Sequence, residues 1–243
     1  MKFSQIVQFM KQLQGKADST SLASIEVQTN PKHAALLKQM QKEIQEKQVL
    51  TVPLKELDVV VVDIETTGFF PDKGDQILSI GAVKMSGEEV LENETFYSFV
   101  QYEKEIPAEI KNLTGITEIE VIEAPPLSEV LLKFYKYVGH SLLVAHHANH
   151  EKNFFESANW KVFHSNFKHR IIDTTLLVRV AEPNNNLARL EDYCEACGIE
   201  VQNRHHALGD AKMAAQLWSF YIKKVQLLGC ENLRDIYQWL AKL

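Results

Sequence analysis

Apolar positions follow two different periods along this chain. Phe3, Ile6, Val7, Met10 and Leu13 recur at helical spacing, and Leu36, Leu37, Met40 and Ile44 do so again before residue 48. Residues 15–30, rich in Ser, Thr and Gln, read as a linker, and Asn30-Pro31 suits an N-cap followed by a first helical residue. From residue 57 the pattern changes to short β-branched runs that alternate with helical periods. Strands are expected over 59–62, 76–84, 95–101, 142–145 and 170–172, with Gly87 turning the chain between the second and third. Helices are expected over 108–113, 127–138, 151–158, 174–180, 187–197 and 210–224. Three strands that read as antiparallel, then strands alternating with helices, predict an α/β fold: a mixed five-stranded sheet flanked by helices. The chain divides into a helical extension and linker (1–55), the α/β domain (56–228) and a C-terminal helix (229–243).

Composition narrows the class without naming a chemistry. The chain has 243 residues, 45% hydrophobic and 24% charged, enough for one sizeable domain with an appendage. It holds no apolar run long enough to cross a membrane, and its first ten residues lack the charged-then-apolar pattern of a secretory signal. With three cysteines, this predicts a reducing, cytoplasmic setting. The net charge of −6 means that the surface as a whole does not attract polyanions.

The chemistry begins at residues 59–68, Val-Val-Val-Val-Asp-Ile-Glu-Thr-Thr-Gly. Four valines suit a strand buried on both faces, and side chains two apart on a strand share a face. Asp63 and Glu65 are therefore expected side by side at the mouth of a dry core. Like charges held so close repel unless a cation lies between them, and a hard divalent ion favours oxygen ligands. Glu151, in Val-Ala-His-His-Ala-Asn-His-Glu over 144–151, follows a strand in the first turn of a helix. Asp210 stands at a helix start behind the loop histidines His205 and His206, and Asp173 closes the fifth strand. Cys194 and Cys197 fall in an amphipathic helix and read as core thiols rather than zinc ligands. The stretch 160–170 interleaves aromatics with basic residues, as single-strand binding surfaces do, though a helix end turning its aromatics inward fits equally well.

Asp-Ile-Glu-Thr-Thr-Gly, then Ala-His-x-Ala followed by an acid, then His-x-Ala-Leu-x-Asp-Ala resemble the three motifs of the DEDDh 3′–5′ exonucleases. That family includes bacterial proofreading exonucleases, RNase T and oligoribonuclease. The resemblance covers roughly residues 57–225 and implies a ribonuclease-H-like fold. It implies that Asp63, Glu65, Glu151 and Asp210 hold two Mg²⁺ or Mn²⁺ ions, spaced about 3.5–4 Å as such pairs are. It makes His205 the general base, with His206 structural, and puts Thr66, Thr67 and Phe69 around the terminal nucleotide. Two positions depart from the motif: Glu151 replaces an aspartate and His147 an asparagine, while Asp173 reads as a helix cap. The implied activity is 3′–5′ exonucleolytic release of nucleoside 5′-monophosphates from single-stranded ends, DNA favoured. A binding module of the same fold that has lost turnover and an RNA-specific exoribonuclease are the alternatives. The N-terminal helices are the expected docking segment for a polymerase or other protein partner, and no membrane partner is expected.

Overall fold

The computed structural model describes residues 49–242. The expected helices before residue 48 lie outside the described residues. Five strands, β1 (Asp58–Thr66), β2 (Ile77–Ser86), β3 (Glu89–Phe99), β4 (Leu142–Ala145) and β5 (Ile171–Asp173), form one sheet in the order β3-β2-β1-β4-β5. The first three pair antiparallel, and β1, β4 and β5 run parallel, so the expected mixed five-stranded sheet is present.

Helices cover both faces of this sheet. They are α1 (Ala108–Thr114), α2 (Glu118–Ile122), α3 (Leu127–Val138), α4 (Asn149–Phe163), α5 (Thr175–Ala181), α6 (Leu190–Ala196), α7 (Ala207–Leu227) and α8 (Leu233–Leu240). Alternation along β1 assigns each valine to a layer. Val59 and Val61, with Val83, Met85, Val144 and Ile172, pack against α5 to α8, whose largest contributions are Trp218 and Tyr221. Val60, Val62 and Ile64, with Ile80, Ala82 and Leu143, pack against α3 and α4 through Phe134, Phe154 and Phe155. A third, smaller cluster of Leu78, Ile106, Ile110, Ile116 and Val121 seats α1 and α2 beside the carboxyl end of β1.

Several elements run further than their local pattern predicts. β1 continues past Val62 to Thr66, because Asp63, Ile64 and Glu65 still pair with Gly81, Ile80 and Ser79. β3 begins at Glu89, completing a hairpin through Gly87, whose φ of 55° is a glycine conformation. α4 extends to Phe163 because Val162 and Phe163 continue the apolar stripe begun by Phe154 and Ala158. α6 starts only at Leu190, which leaves residues 187–189 outside the helix. The short α2 carried no periodic signal, yet Thr117 and Glu120 form a reciprocal capping box.

The chain entering β1 and the C-terminal helix pack as one unit. Leu54, Cys230, Leu233 and Ile236 share the core with Val59, and the Leu54 N–H donates to the Glu231 carbonyl at 2.7 Å. All three cysteines are free thiols. No helix among the described residues is long and apolar enough to cross a membrane.

α7 packs backbone to backbone against β2 at Gly81. A Cβ on Gly81 would lie 2.1 Å from the Leu208 amide nitrogen and 2.2 Å from the Ala207 carbonyl carbon. Both are backbone atoms, so the helix itself would have to move. Gly81→Ala is expected to cost about 1–3 kcal/mol or more of stability, as overpacking of a tight contact does. Guanidinium unfolding of the two proteins checks this; an unchanged midpoint would show that α7 shifts freely.

Candidate active site

Asp63 and Glu65 occupy the same alternation as Val59 and Val61, so they face the layer that contains α7. α7 starts against Gly81, the residue paired with Asp63, and so its first turn stands directly over the two strand acids. That turn carries Asp210. One oxygen from each of Asp63, Glu65 and Asp210 lies within 4.8 Å of the others, as the sequence predicts for a metal-binding cluster. Glu65 and Asp210 are buried and Asp63 is partly open.

Glu151 arrives from the opposite layer, in the first turn of α4. Its carboxyl is buried beside the cluster but outside the group of three. Asp173 does not join them. Its Oδ2 accepts from the Ala148 N–H at 3.0 Å and its Oδ1 from the Thr175 N–H at 2.9 Å. It therefore takes the first N–H of α5 from the end of β5, one residue before the N-cap position, which is Thr174 and not Asp173 as expected, and it also ties down the start of α4 that carries Glu151. His147 has a φ of 61°, in the left-handed region that asparagine tolerates better than most residues. Here histidine adopts it, with Nε2 2.6 Å from the Ala188 carbonyl oxygen.

The acids are crowded and poorly solvated. Burial, reinforced by the Asp210 charge and opposed by Arg204, pushes Glu65 up to about 8. Burial, reinforced by Asp173 and Glu65, pushes Glu151 up to about 8 as well. Asp63 is raised well above the ordinary carboxylate range, first by burial and then by Glu151, Glu65 and Asp210. Arg204, whose Nη1 donates to Asp210 Oδ2, opposes this crowding. Asp210 Oδ1 and Glu151 Oε2 are nonetheless buried with no hydrogen-bond partner. Buried orphan carboxylate oxygens are costly, and a set made only of such oxygens fits a hard divalent cation better than a thiophilic one.

The acids floor a cleft of about 660 Å³, within the range of small-ligand sites. One wall is apolar, from Ile110, Leu113 and Phe69. The other is polar, from His146, His147, Arg189, Glu191 and Arg204, with Arg189 paired to Asp192 and Arg204 to Asp210. Phe69 is 73% exposed, its ring edge-on to His150 at 5.9 Å. Thr66 also lines the cleft. Thr67 is not among the lining residues: its hydroxyl donates to Asp75 Oδ1 at 3.1 Å and accepts from the Gln76 N–H at 3.0 Å, bracing the loop. Gly68 is required by the same brace, since a Cβ there would fall 2.5 Å from Asp75 Oδ2.

His205 lines the cleft on the loop before α7, with a left-handed φ of 61° and its N–H donating to Asp210 Oδ2 at 3.2 Å. His206 turns away, stacks on Tyr97 at 4.5 Å and caps α7 by accepting from the Gly209 N–H. His146 is buried, with Nδ1 2.7 Å from the Thr174 hydroxyl, and burial lowers it to about 4, so its ring is neutral. Sequence reading missed Arg204 and Gly81. A glycine inside the strand pattern Ile-Leu-Ser-Ile-Gly-Ala-Val was the available signal for the second. Arg204, a surface-type residue in a loop, offered none.

A mixed sheet of this strand order, with carboxylates gathered over its central strand by a helix from the next layer, defines a ribonuclease-H-like α/β domain. The family model RNase T, described as Exonuclease, matches residues 60–218, and the chain belongs to this exonuclease family. It is 38% identical to DNA polymerase III PolC-type of Clostridium perfringens over 169 residues, which are 70% of this chain and 11% of that protein. It is 33% identical to the 3′-5′ exonuclease DinG of Staphylococcus saprophyticus over 183 residues, 75% of this chain and 20% of that one. The chain thus spans between a tenth and a fifth of these relatives. Among solved structures, Escherichia coli Exonuclease I in complex with a dT13 oligonucleotide superposes with a TM-score of 0.61, covering 72% of this chain and 43% of that one at 17% identity. That likeness confirms the fold.

Two outcomes are expected from these contacts. An asparagine at 173 has one acceptor oxygen for two backbone donors, so Asp173→Asn should cost about 1–3 kcal/mol by orphaning one of them. This exceeds the loss expected of a cap alone and is read by denaturant unfolding. Glu151 titrates higher in the folded chain than its ordinary 4.5, so the folded state binds its proton more tightly. The stability this group contributes is full below pH 4.5 and is lost as pH rises through about 8. In chelator, the parent should therefore lose more thermal stability over that range than Glu151→Gln does. Parallel melting curves for the two proteins would contradict the burial of an ionisable Glu151.

Proposed function

We propose that this domain is a metal-dependent 3′–5′ exonuclease that releases nucleoside 5′-monophosphates from single-stranded ends, with DNA favoured. The observation that carries the reading is the meeting of Asp63, Glu65 and Asp210 within 4.8 Å on the floor of an open cleft, in a chain of the exonuclease family. Glu151 completes the ligand set from the other layer. Asp63, Glu65, Glu151 and Asp210 would hold two ions, Mg²⁺ or Mn²⁺. When bound, such ions supply the positive charge that offsets the developing charge on the attacking and leaving oxygens.

The remaining work belongs to the chain. His205 takes the proton of the attacking water, a task that suits an imidazole on a loop at the cleft edge. The apolar wall at Phe69 and Leu113 gives the terminal base a surface to stack on, while Thr66 lies beside the sugar-phosphate. The polar lining at His147 and Arg189 faces the phosphate side of the strand. Binding to dT13 by Exonuclease I and the kinship with PolC-type polymerases support a DNA substrate and a polymerase or other protein partner, engaged through the segment before residue 49. Free cysteines agree with a reducing, cytoplasmic setting.

A second reading, a binding module that retains ends without cutting them, draws on Glu151 standing outside the group of three. Incubating the protein with 5′-labelled single-stranded DNA and RNA, in Mg²⁺, Mn²⁺ or chelator, separates the readings. Stepwise shortening that chelator abolishes is expected. Asp63→Ala should be nearly inactive though folded, and His205→Ala should slow turnover by about 10²–10⁴ with binding largely kept. Retention of the label at full length with tight binding would favour the binding module.

A further inference from the structure

Arg204 stands where the site's charge problem is greatest. Its Nη1 donates to Asp210 Oδ2, and its Nη2 lies 3.0 Å from Glu191 Oε2. Asp210 is one of the three gathered acids, whereas Glu191 belongs to the first turn of α6, on the cleft's polar wall. Glu191 Oε2 is buried and meets the guanidinium as an ion pair rather than in well-aligned hydrogen-bond geometry, and Arg189 Nη1 lies 3.5 Å from its Oε1. The fork is thus aligned on Asp210 and only adjacent to Glu191. A guanidinium presents five donors in a rigid plane, so a modest rotation exchanges one carboxylate for the other.

A divalent cation bound among Asp63, Glu65 and Asp210 would draw on the same Asp210 carboxylate, whose Oδ2 the guanidinium holds, and would repel the guanidinium. We propose that Arg204 is an internal counter-ion that competes with the metal for Asp210, and that Glu191 is the acceptor that receives its guanidinium when the metal enters. Arg204 and Glu191 are positioning residues that set how readily the site takes up its cation. This rests on the reading of the three acids as the metal site.

The test is Mn²⁺ titration of the full chain by calorimetry, without nucleic acid, in two buffers of different ionisation enthalpy so that released protons are counted separately. Asp63→Ala should abolish the binding. Arg204→Gln should bind Mn²⁺ about tenfold more tightly than the parent, the factor expected when one charge-assisted hydrogen bond no longer competes. Glu191→Gln should bind several-fold more weakly, because the displaced guanidinium loses its acceptor. In the double variant the Glu191 substitution should have no further effect, which a merely structural role for Glu191 would not produce. If Arg204→Gln fails to fold, Glu191→Gln carries the test, with the Mn²⁺-induced rise in melting temperature smaller than the parent's. Arg204→Gln binding no more tightly than the parent, or Glu191→Gln weakening binding equally in both backgrounds, would overturn the proposal and leave the metal site intact. Equal Mn²⁺ binding by the parent and Asp63→Ala would overturn the metal-site reading and the proposal with it.

Discussion

The contact between Gly81 and the first turn of α7 is the constraint on which the site depends. The sheet can present Asp63 and Glu65 together, because alternation does that for any strand. It cannot present the third acid, which lies far along the chain. Only a helix pressed backbone to backbone against β2 brings Asp210 over Asp63, and only a residue without a Cβ permits it. The long body of α7, anchored by Trp218, Tyr221 and Val225, then holds that first turn in register.

The same closeness leaves the molecule electrostatically strained. Carboxylates in a half-dry cleft raise one another's proton affinity, and orphan oxygens remain on Asp210 and Glu151. A fold selected for stability alone would have replaced them with apolar groups. The core on both sides of the sheet tolerates this cost, and Arg204 relieves part of it. Such a site is well prepared for a cation because the alternative, burying the charges alone, is unfavourable.

The departures from the family motif are accommodated by neighbours rather than by the residues themselves. Glu151 reaches inward from a helix start that Asp173 fixes through the Ala148 N–H. His147 accepts a left-handed conformation and is held there beside the Ala188 carbonyl. His205 likewise adopts a left-handed backbone, which turns the loop so that His205 lines the cleft while His206 stacks outward on Tyr97. Two adjacent histidines thus divide into a cleft group and a cap.

Much of this was legible in the chain itself. The valine run, the period-two alternation and the helical stripes fixed the mixed sheet and its helices, because local period reports which face of an element is dry. Alternation alone put Asp63 and Glu65 on one face, and the resemblance to the family's third motif separated His205 from His206. Tertiary structure decided what depends on groups remote in sequence. Strand ends moved where pairing partners outlasted the apolar pattern, as Asp63 and Glu65 continue β1. Thr67 turned from the cleft because Asp75 and Gln76 met it across a loop. Arg204 became part of the site, and Glu151 stood apart from the triad, because their distances are set by how two helix layers seat on one sheet. A sequence carries no direct measure of those distances.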